Sequence, residues 1–151
     1  MKALIQRVKH AEVEIDGRVV AGVAKGMLAF IGVEKKDSSA DIKKLVRRLL
    51  DFRIFADKTG KMNLSVRDIN GGILLVPQFT IVAETNRGNR PSFSLAAEPK
   101  CALELFNSLV EQTCREHTKV ASGRFGADMD ILLVNDGPAT FCLDTLPKCR
   151  G

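Results

Sequence analysis

The chain has 151 residues, 45% of them hydrophobic and 27% charged, with a net charge of +5 at neutral pH. That composition describes one soluble globular domain and excludes a disordered protein. No apolar stretch approaches the ~20 residues of a membrane span, and the opening Met-Lys-Ala-Leu-Ile-Gln-Arg has no cleavage-site pattern, so neither a membrane partner nor a signal peptide is expected.

Ala3–Val8 reads as a mostly apolar strand. Ala11–Ile15 alternates strictly, the period of a half-buried strand. Asp16-Gly17 supplies a hairpin turn, and Arg18–Val23 returns. Met27–Val33 is a continuous apolar run between glycine and charge, hence a buried strand. Ser38 or Ser39 caps the next segment, where Ile42, Leu45, Val46, Leu49 and Leu50 give a helical stripe. Lys43, Lys44, Arg47 and Arg48 fall on or beside its wet face, which reads as a solvated face before it reads as an RNA contact. Arg53–Ala56 and Met62–Val66 predict short strands, and Gly71-Gly72 breaks the chain before the buried run Ile73–Val76. Thr85–Pro91 is a loop. Pro99 suits the first turn of a second helix, with Ala102, Leu105, Phe106, Leu109, Val110 and Thr113 facing inward. Met129–Val134 and Ala139–Asp144 predict strands separated by Asn135-Asp136-Gly137-Pro138. The tail Thr145–Gly151 has no periodicity and is expected to be loose.

Residues 1–151 therefore read as a single α/β domain, mainly β-sheet with two amphipathic helices. Two helices cannot cover both faces of so much sheet. One sheet is expected to pack on another, with the helices on one outer face.

The familiar catalytic signatures are absent: no G-x-S-x-G, no H-E-x-x-H, no P-loop and no G-x-G-x-x-G after a strand. Cys101, Cys114, Cys142 and Cys149 form no C-x-x-C pair, and His10 and His117 lie far from any cysteine cluster. No metal or other cofactor is expected. The cysteines are expected to pack in a reducing cytoplasm, and the two histidines to be exposed or capping. Any enzyme built from this chain lacks an obvious side-chain base. The net charge favours an anionic partner only weakly.

Two segments stand out. In Pro77-Gln78-Phe79-Thr80-Ile81, a proline without an N–H follows the buried run. The pattern favours a strand continuing across a bulge to Val82. The other reading is a strand that breaks and frees amides able to bind an oxyanion. Asn135-Asp136-Gly137-Pro138-Ala139-Thr140 reads as a turn, with the isomer at Pro138 left open.

These two segments resemble the Ser-Gln-Phe-Thr-Leu and Asn-x-Gly-Pro-x-Thr motifs of the D-aminoacyl-tRNA deacylases. Other segments resemble that family too: Gln6-Arg7-Val8, Arg53-Ile54-Phe55, Lys61-Met62-Asn63-Leu64, Arg90-Pro91-Ser92-Phe93-Ser94 and Gly123-Arg124-Phe125-Gly126-Ala127-Asp128-Met129. The resemblance runs from Met1 to about Leu143. It implies a three-layer β/β/α fold, a cytoplasmic homodimer, and hydrolysis of the ester of D-aminoacyl-tRNA and of glycine misacylated on tRNA-Ala. It further implies that Gly137 and Pro138 of one subunit, joined by a cis peptide, enter the other subunit's site and exclude L-aminoacyl groups. Arg7 would hold that motif. Gln78, Phe79 and Thr80 would line the pocket for the terminal adenosine and the ester, with amides near Phe79 and Thr80 at the oxyanion. Met129 would pack beside the adenine, and the RNA 2′-OH would assist hydrolysis.

Pro77 departs from the family's usual serine, removing a hydroxyl and an N–H. A related animal-type deacylase with looser chirality also begins this motif with Pro-Gln but lacks the phenylalanine present here as Phe79. Three hypotheses follow: an editing hydrolase, strict or relaxed in chirality; a non-catalytic RNA-binding dimer on the same fold; and a metal- or thiol-dependent hydrolase. Intact Thr80 and Gly137-Pro138 favour the first over the second, and the scattered cysteines count against the third.

Overall fold

A computed structural model describes residues 1–86 and 88–145. Its frame is set by two long antiparallel strands, β1 (Lys2–Ile15) and β8 (Asp130–Asp144), which pair from end to end apart from irregularities around Arg7 and Lys9. On its other side β1 pairs first with β3 (Gly26–Gly32) and then with β2 (Arg18–Val23) across the Asp16-Gly17 hairpin. β6 (Gly72–Pro77) adds in parallel to β3, and β7 (Val120–Ser122) in parallel to β6. A separate small ribbon joins β4 (Phe55–Ala56) to β5 (Met62–Leu64). Both of these strands are shorter than the sequence suggests.

The expected pair of stacked sheets is instead one six-stranded sheet folded on itself. The fold originates in β1. Its pairing with β8 slips around Val8, and Lys9 is an extra residue with no partner. A one-residue slip sends every later side chain to the opposite face. Ala3 and Ile5 therefore face one core, while Val8, Ala11 and Val13 face another. What reads in sequence as two strands is one strand that changes face. β8 is likewise continuous from 130 to 144.

β3 and β6 are buried on both faces, which explains their unbroken apolar runs. Met27, Ala29, Ile31, Ile73 and Leu75 meet the helices. Leu28, Leu74 and Val76 fill the space between the two arms of the sheet. The helices α1 (Ser39–Asp51) and α2 (Pro99–Glu116) lie on the first face only, giving β/β/α layering. At the start of α1 the Asp41 carboxylate accepts hydrogen bonds from the Ser38 N–H at 3.0 Å and its hydroxyl at 2.8 Å. Among the described residues no helix is long and apolar enough to cross a membrane.

The parallel pairing of β3 with β6 begins at a glycine pair. A Cβ on Gly26 would lie 2.0 Å from the Gly72 carbonyl oxygen. Backbone cannot yield as a side chain does, so Gly26→Ala is expected to cost at least ~3 kcal/mol. Thermal unfolding should then shift down by roughly 6–12 °C; an unchanged midpoint would show that the two strands separate without cost.

Several expectations are corrected. Cys101, Cys114 and Cys142 are exposed rather than packed in the core; each projects from the wet face of its element. His117 closes α2 as its C-cap, yet its ring is buried, with Nε2 at 2.7 Å from the Gly71 carbonyl oxygen. His10 is exposed. Thr145 is buried rather than loose, because its hydroxyl accepts a hydrogen bond from the Met1 amine at 2.7 Å. Residues 146–151, Cys149 among them, lie outside the described residues.

Candidate functional site

β6 ends at Pro77, whose register partner is Ile31. The last ladder-type bond is made by Gln78, whose N–H donates to the Ile31 carbonyl at 2.7 Å. The chain then winds into a short 3-10 turn, Phe79–Val82, rather than continuing as strand. Ile81 N–H bonds the Gln78 carbonyl at 3.3 Å, and Ala83 N–H bonds that of Thr80 at 3.2 Å. As at any helical start, the first N–H groups have no partner within the turn. Those of Phe79 and Thr80 meet no acceptor among the described residues. The break therefore presents two free amides at the sheet's edge.

Beside them opens a cleft of about 520 Å³. Its walls are the end of β6, the start of α2 at Pro99 and Ala102, and the turn Phe125–Met129. Gly126 takes φ +76° there, a left-handed conformation that glycine adopts without strain. The Met129 sulfur accepts the Arg124 N–H at 3.3 Å and so ties the turn shut. Among the described residues the lining is apolar apart from Gln78 and Asp128, and Asp128 is the one ionisable side chain on it. Gln78 Nε2 donates to the Thr80 hydroxyl at 2.6 Å. That fixes the hydroxyl but supplies no base, since an amide cannot take a proton.

Phe79 and Phe93 are exposed and meet edge to face, with ring centroids 5.0 Å apart. Such large exposed aromatic surface on a loop edge is a mark of a contact site.

The second sequence motif lies elsewhere. In the β1–β8 ladder Gln6 faces Thr140 and Val8 faces Asn135. The four residues 136–139 thus oppose the single residue Arg7 and bulge from the sheet. Arg7, 9% exposed, fills the gap. Its Nε donates to the Asp136 carbonyl at 3.1 Å and its NH2 to the Gly137 carbonyl at 3.2 Å. NH1 donates to the Ile54 carbonyl, and Nε lies 2.9 Å from an Asp136 carboxylate oxygen. The Gly137–Pro138 bond is cis, and both residues are exposed.

This geometry reproduces, in one chain, the two motifs singled out above. A family model described as D-Tyr-tRNA(Tyr) deacylase matches residues 4–144. The chain belongs to that family. Proteins named D-aminoacyl-tRNA deacylase are similar to it along almost their whole length. One from Pseudomonas fluorescens is 54% identical, covering 96% of this chain and 100% of that protein. One from Pseudomonas putida is 52% identical, covering 95% and 99%. A solved structure described as a c-Myc DNA unwinding element binding protein is 35% identical and superposes with a TM-score of 0.92, covering 95% of this chain and 98% of its own. Another, described as a probable eukaryotic D-amino acid tRNA deacylase, is 16% identical with a TM-score of 0.79 over 94% and 98%, a likeness of fold.

Within this deacylase fold, Gln78, Phe79 and Met129 line one cleft, with Thr80 at its lip. Arg7, Gly137 and Pro138 form a second group that does not line it. β8 and β6 are three strands apart, and Pro77 lies four residues along from the level of Arg7. Ladder spacings of about 4.8 Å and 3.3 Å then put the groups roughly 20 Å apart. Residue-type reasoning missed Ala96, Ala97 and Phe125 on the cleft wall. They carry no reactive group, and only the chain fold brings the loop before α2 against the turn after β7.

Proposed function

We propose that the protein hydrolyses the ester of D-aminoacyl-tRNA in the cleft beside Phe79. The observation that carries this reading is the pair of unpartnered amides at Phe79 and Thr80 on the lip of a mostly apolar cleft. An ester carbonyl placed there directs its oxygen at two preorganised donors. As water attacks the carbonyl carbon, the negative charge gathers on that oxygen. One such donor is worth ~3–4 kcal/mol in the transition state. The bond to the ribose oxygen then breaks, releasing the amino acid and a free tRNA hydroxyl. An aminoacyl ester is already activated, so positioning and an oxyanion contact suffice. The 2′-OH of the terminal adenosine assists by hydrogen-bonding and orienting the attacking water, whose proton ends on the departing ribose oxygen, and the adenine packs beside Met129.

The proposal includes the second group of residues. Gly137 and Pro138 lie too far from the cleft of their own chain to border it. They border the cleft of a second copy related by a two-fold axis, so the unit of function is a homodimer. Their backbone closes the side on which an L-aminoacyl side chain would lie. Favourable contacts alone separate mirror images poorly, and a rigid clash does so well. Glycine carries no side chain to clash, so glycyl-tRNA misacylated on tRNA-Ala is also a substrate. The setting is the cytoplasm, where tRNA is charged.

The test is deacylation of matched D- and L-tyrosyl-tRNA. D-Tyr-tRNA is expected to be cleaved and L-Tyr-tRNA spared; similar rates for both would overturn the chiral reading. Thr80→Ala is expected to slow the D-substrate by about tenfold or less, the worth of one hydrogen bond. A terminal 2′-deoxyadenosine should slow it more, by ~100-fold, because the attacking water loses the group that orients it. The reverse order would make Thr80 the nucleophile.

A further inference from the structure

We propose that the groove on the far side of the Gly123–Gly126 turn is a second RNA subsite. It takes the nucleotide that precedes the terminal adenosine, with Arg124 on the connecting phosphate. The inference rests on reading the cleft as the seat of the aminoacyl-adenosine end.

The groove has a volume of about 530 Å³. Val20, Leu103, Phe106 and Val110 form its apolar floor, with Asn107 and Arg124 at its polar edge. Val20 and Leu103 are 46% and 38% exposed, so the floor is open to a ligand. Phe125 borders this groove and the cleft alike, so the two lie side by side, divided by the Gly123–Gly126 turn and the start of α2. The Arg124 amide is bonded to the Met129 sulfur, which places Arg124 where the adenine end of the cleft meets the groove. Arg124 is exposed and makes no ion pair among the described residues. The other charged residue on the groove among the described residues, Glu111, lies 3.8 Å from Arg115.

A single strand of RNA alternates a flat base with a charged phosphate. An apolar floor one step beyond the adenine, with a free cation at the crossing, matches that alternation. Bases rest on apolar and aromatic side chains without regard to sequence, and arginine grips phosphate with a two-pronged donor set. Asn107 adds an amide able to pair with a base edge. A duplex presents its phosphates outward and would leave the apolar floor unused, so the occupant is unpaired.

Two non-hydrolysable analogues test this. The first is D-alanyl-3′-amino-3′-deoxyadenosine with a free 5′-hydroxyl. The second is the same nucleoside preceded by cytidine through a phosphate. Calorimetric titration of the wild-type protein should give about tenfold or greater tighter binding for the dinucleotide, the worth of one charge-assisted contact with some stacking. Arg124→Ala should remove most of that advantage, reduce the salt dependence of dinucleotide binding by about one unit of slope, and leave nucleoside binding unchanged. Arg124→Lys should restore part of it. Leu103→Glu, at an exposed helix position, should remove the advantage independently. Equal affinities of the two analogues for wild type overturn the proposal. So does equal weakening of both by Arg124→Ala, or an advantage that survives both substitutions. Failure of wild type to bind either analogue, or to cleave D-Tyr-tRNA, counts instead against the cleft itself.

Discussion

Gly137→Val is expected to lower cleavage of D-Tyr-tRNA by at least ~100-fold, the scale of a misplaced reacting group. Its melting temperature should stay within about 2 °C of wild type. The two expectations belong together. A Cβ at Gly137 would meet one atom, the Asn135 amide nitrogen, at an ordinary 3.5 Å. The single chain therefore has room for the larger residue, and strand-like backbone before a proline suits valine. Only a surface that closes on Gly137 from outside would feel the change. In the proposed dimer that surface is the partner's cleft, and the added methyl groups occupy space meant for substrate. Mixing supplies a second readout. A chain carrying Gly137→Val can be co-expressed with one whose own cleft is filled by Ala127→Trp. Each mixed dimer then keeps one intact cleft facing one intact Gly137. Random pairing should restore about a quarter of wild-type activity. No restoration, with both variants folded and mixed dimers present, would place Gly137 on the cleft of its own chain or on none.

Arg7→Ala is expected to have the other large effect, and here stability falls with activity. Arg7 is buried and binds three carbonyl oxygens and one carboxylate. Removing it strands those acceptors and leaves Asp136 without its cation. Asp136 is about a third exposed and can be hydrated, so the cost is mainly the stranded carbonyl oxygens, roughly 1–3 kcal/mol, and denaturant titration should read a loss of that size. Arg7→Lys separates the two roles. Lysine keeps the charge but has no planar fork to reach several oxygens at once. It should recover part of the stability while the four-residue bulge loses its fixed position, so kcat stays low. Wild-type kcat in a folded Arg7→Lys protein would show that the guanidinium supports the fold and not the site.

Much of this architecture is legible in the amino acids because local patterns reported it faithfully. The Asp16-Gly17 hairpin, the two-sided burial of Met27–Val33 and Ile73–Val76, the Ser38 cap and Pro99 at the start of α2 all follow from short-range chemistry. The single folded sheet does not, because its cause is a register slip at Lys9. A slip is a relation between β1 and β8, and neither strand records it alone. The same limit explains the segment after Val76. Alternation and propensity allowed a strand to Val82, while the structure bends at a proline that cannot donate to the ladder. The motif resemblance pointed to Gln78 and Phe79, which line the cleft, and to Gly137 and Pro138, which do not. The cleft wall was not legible, since Ala96, Ala97 and Phe125 contribute shape rather than reactive groups. Cys101, Cys114 and Cys142 misled in the opposite direction, as small apolar side chains that the fold left in water.

The pairing of β1 with β8 also governs when the molecule can form. Arg7 reaches its Asp136 and Gly137 partners across 129 and 130 residues of chain. Closing so long a loop must be met in entropy before any of those contacts repays it, which places this topology among slow folders. During synthesis β1 leaves the ribosome with one edge unpaired and waits while nearly the whole chain is made. Until β8 emerges, that edge is open to any other strand. The half-made protein is thus most open to mispairing, and the bulge that carries Gly137 is among the last features to take shape.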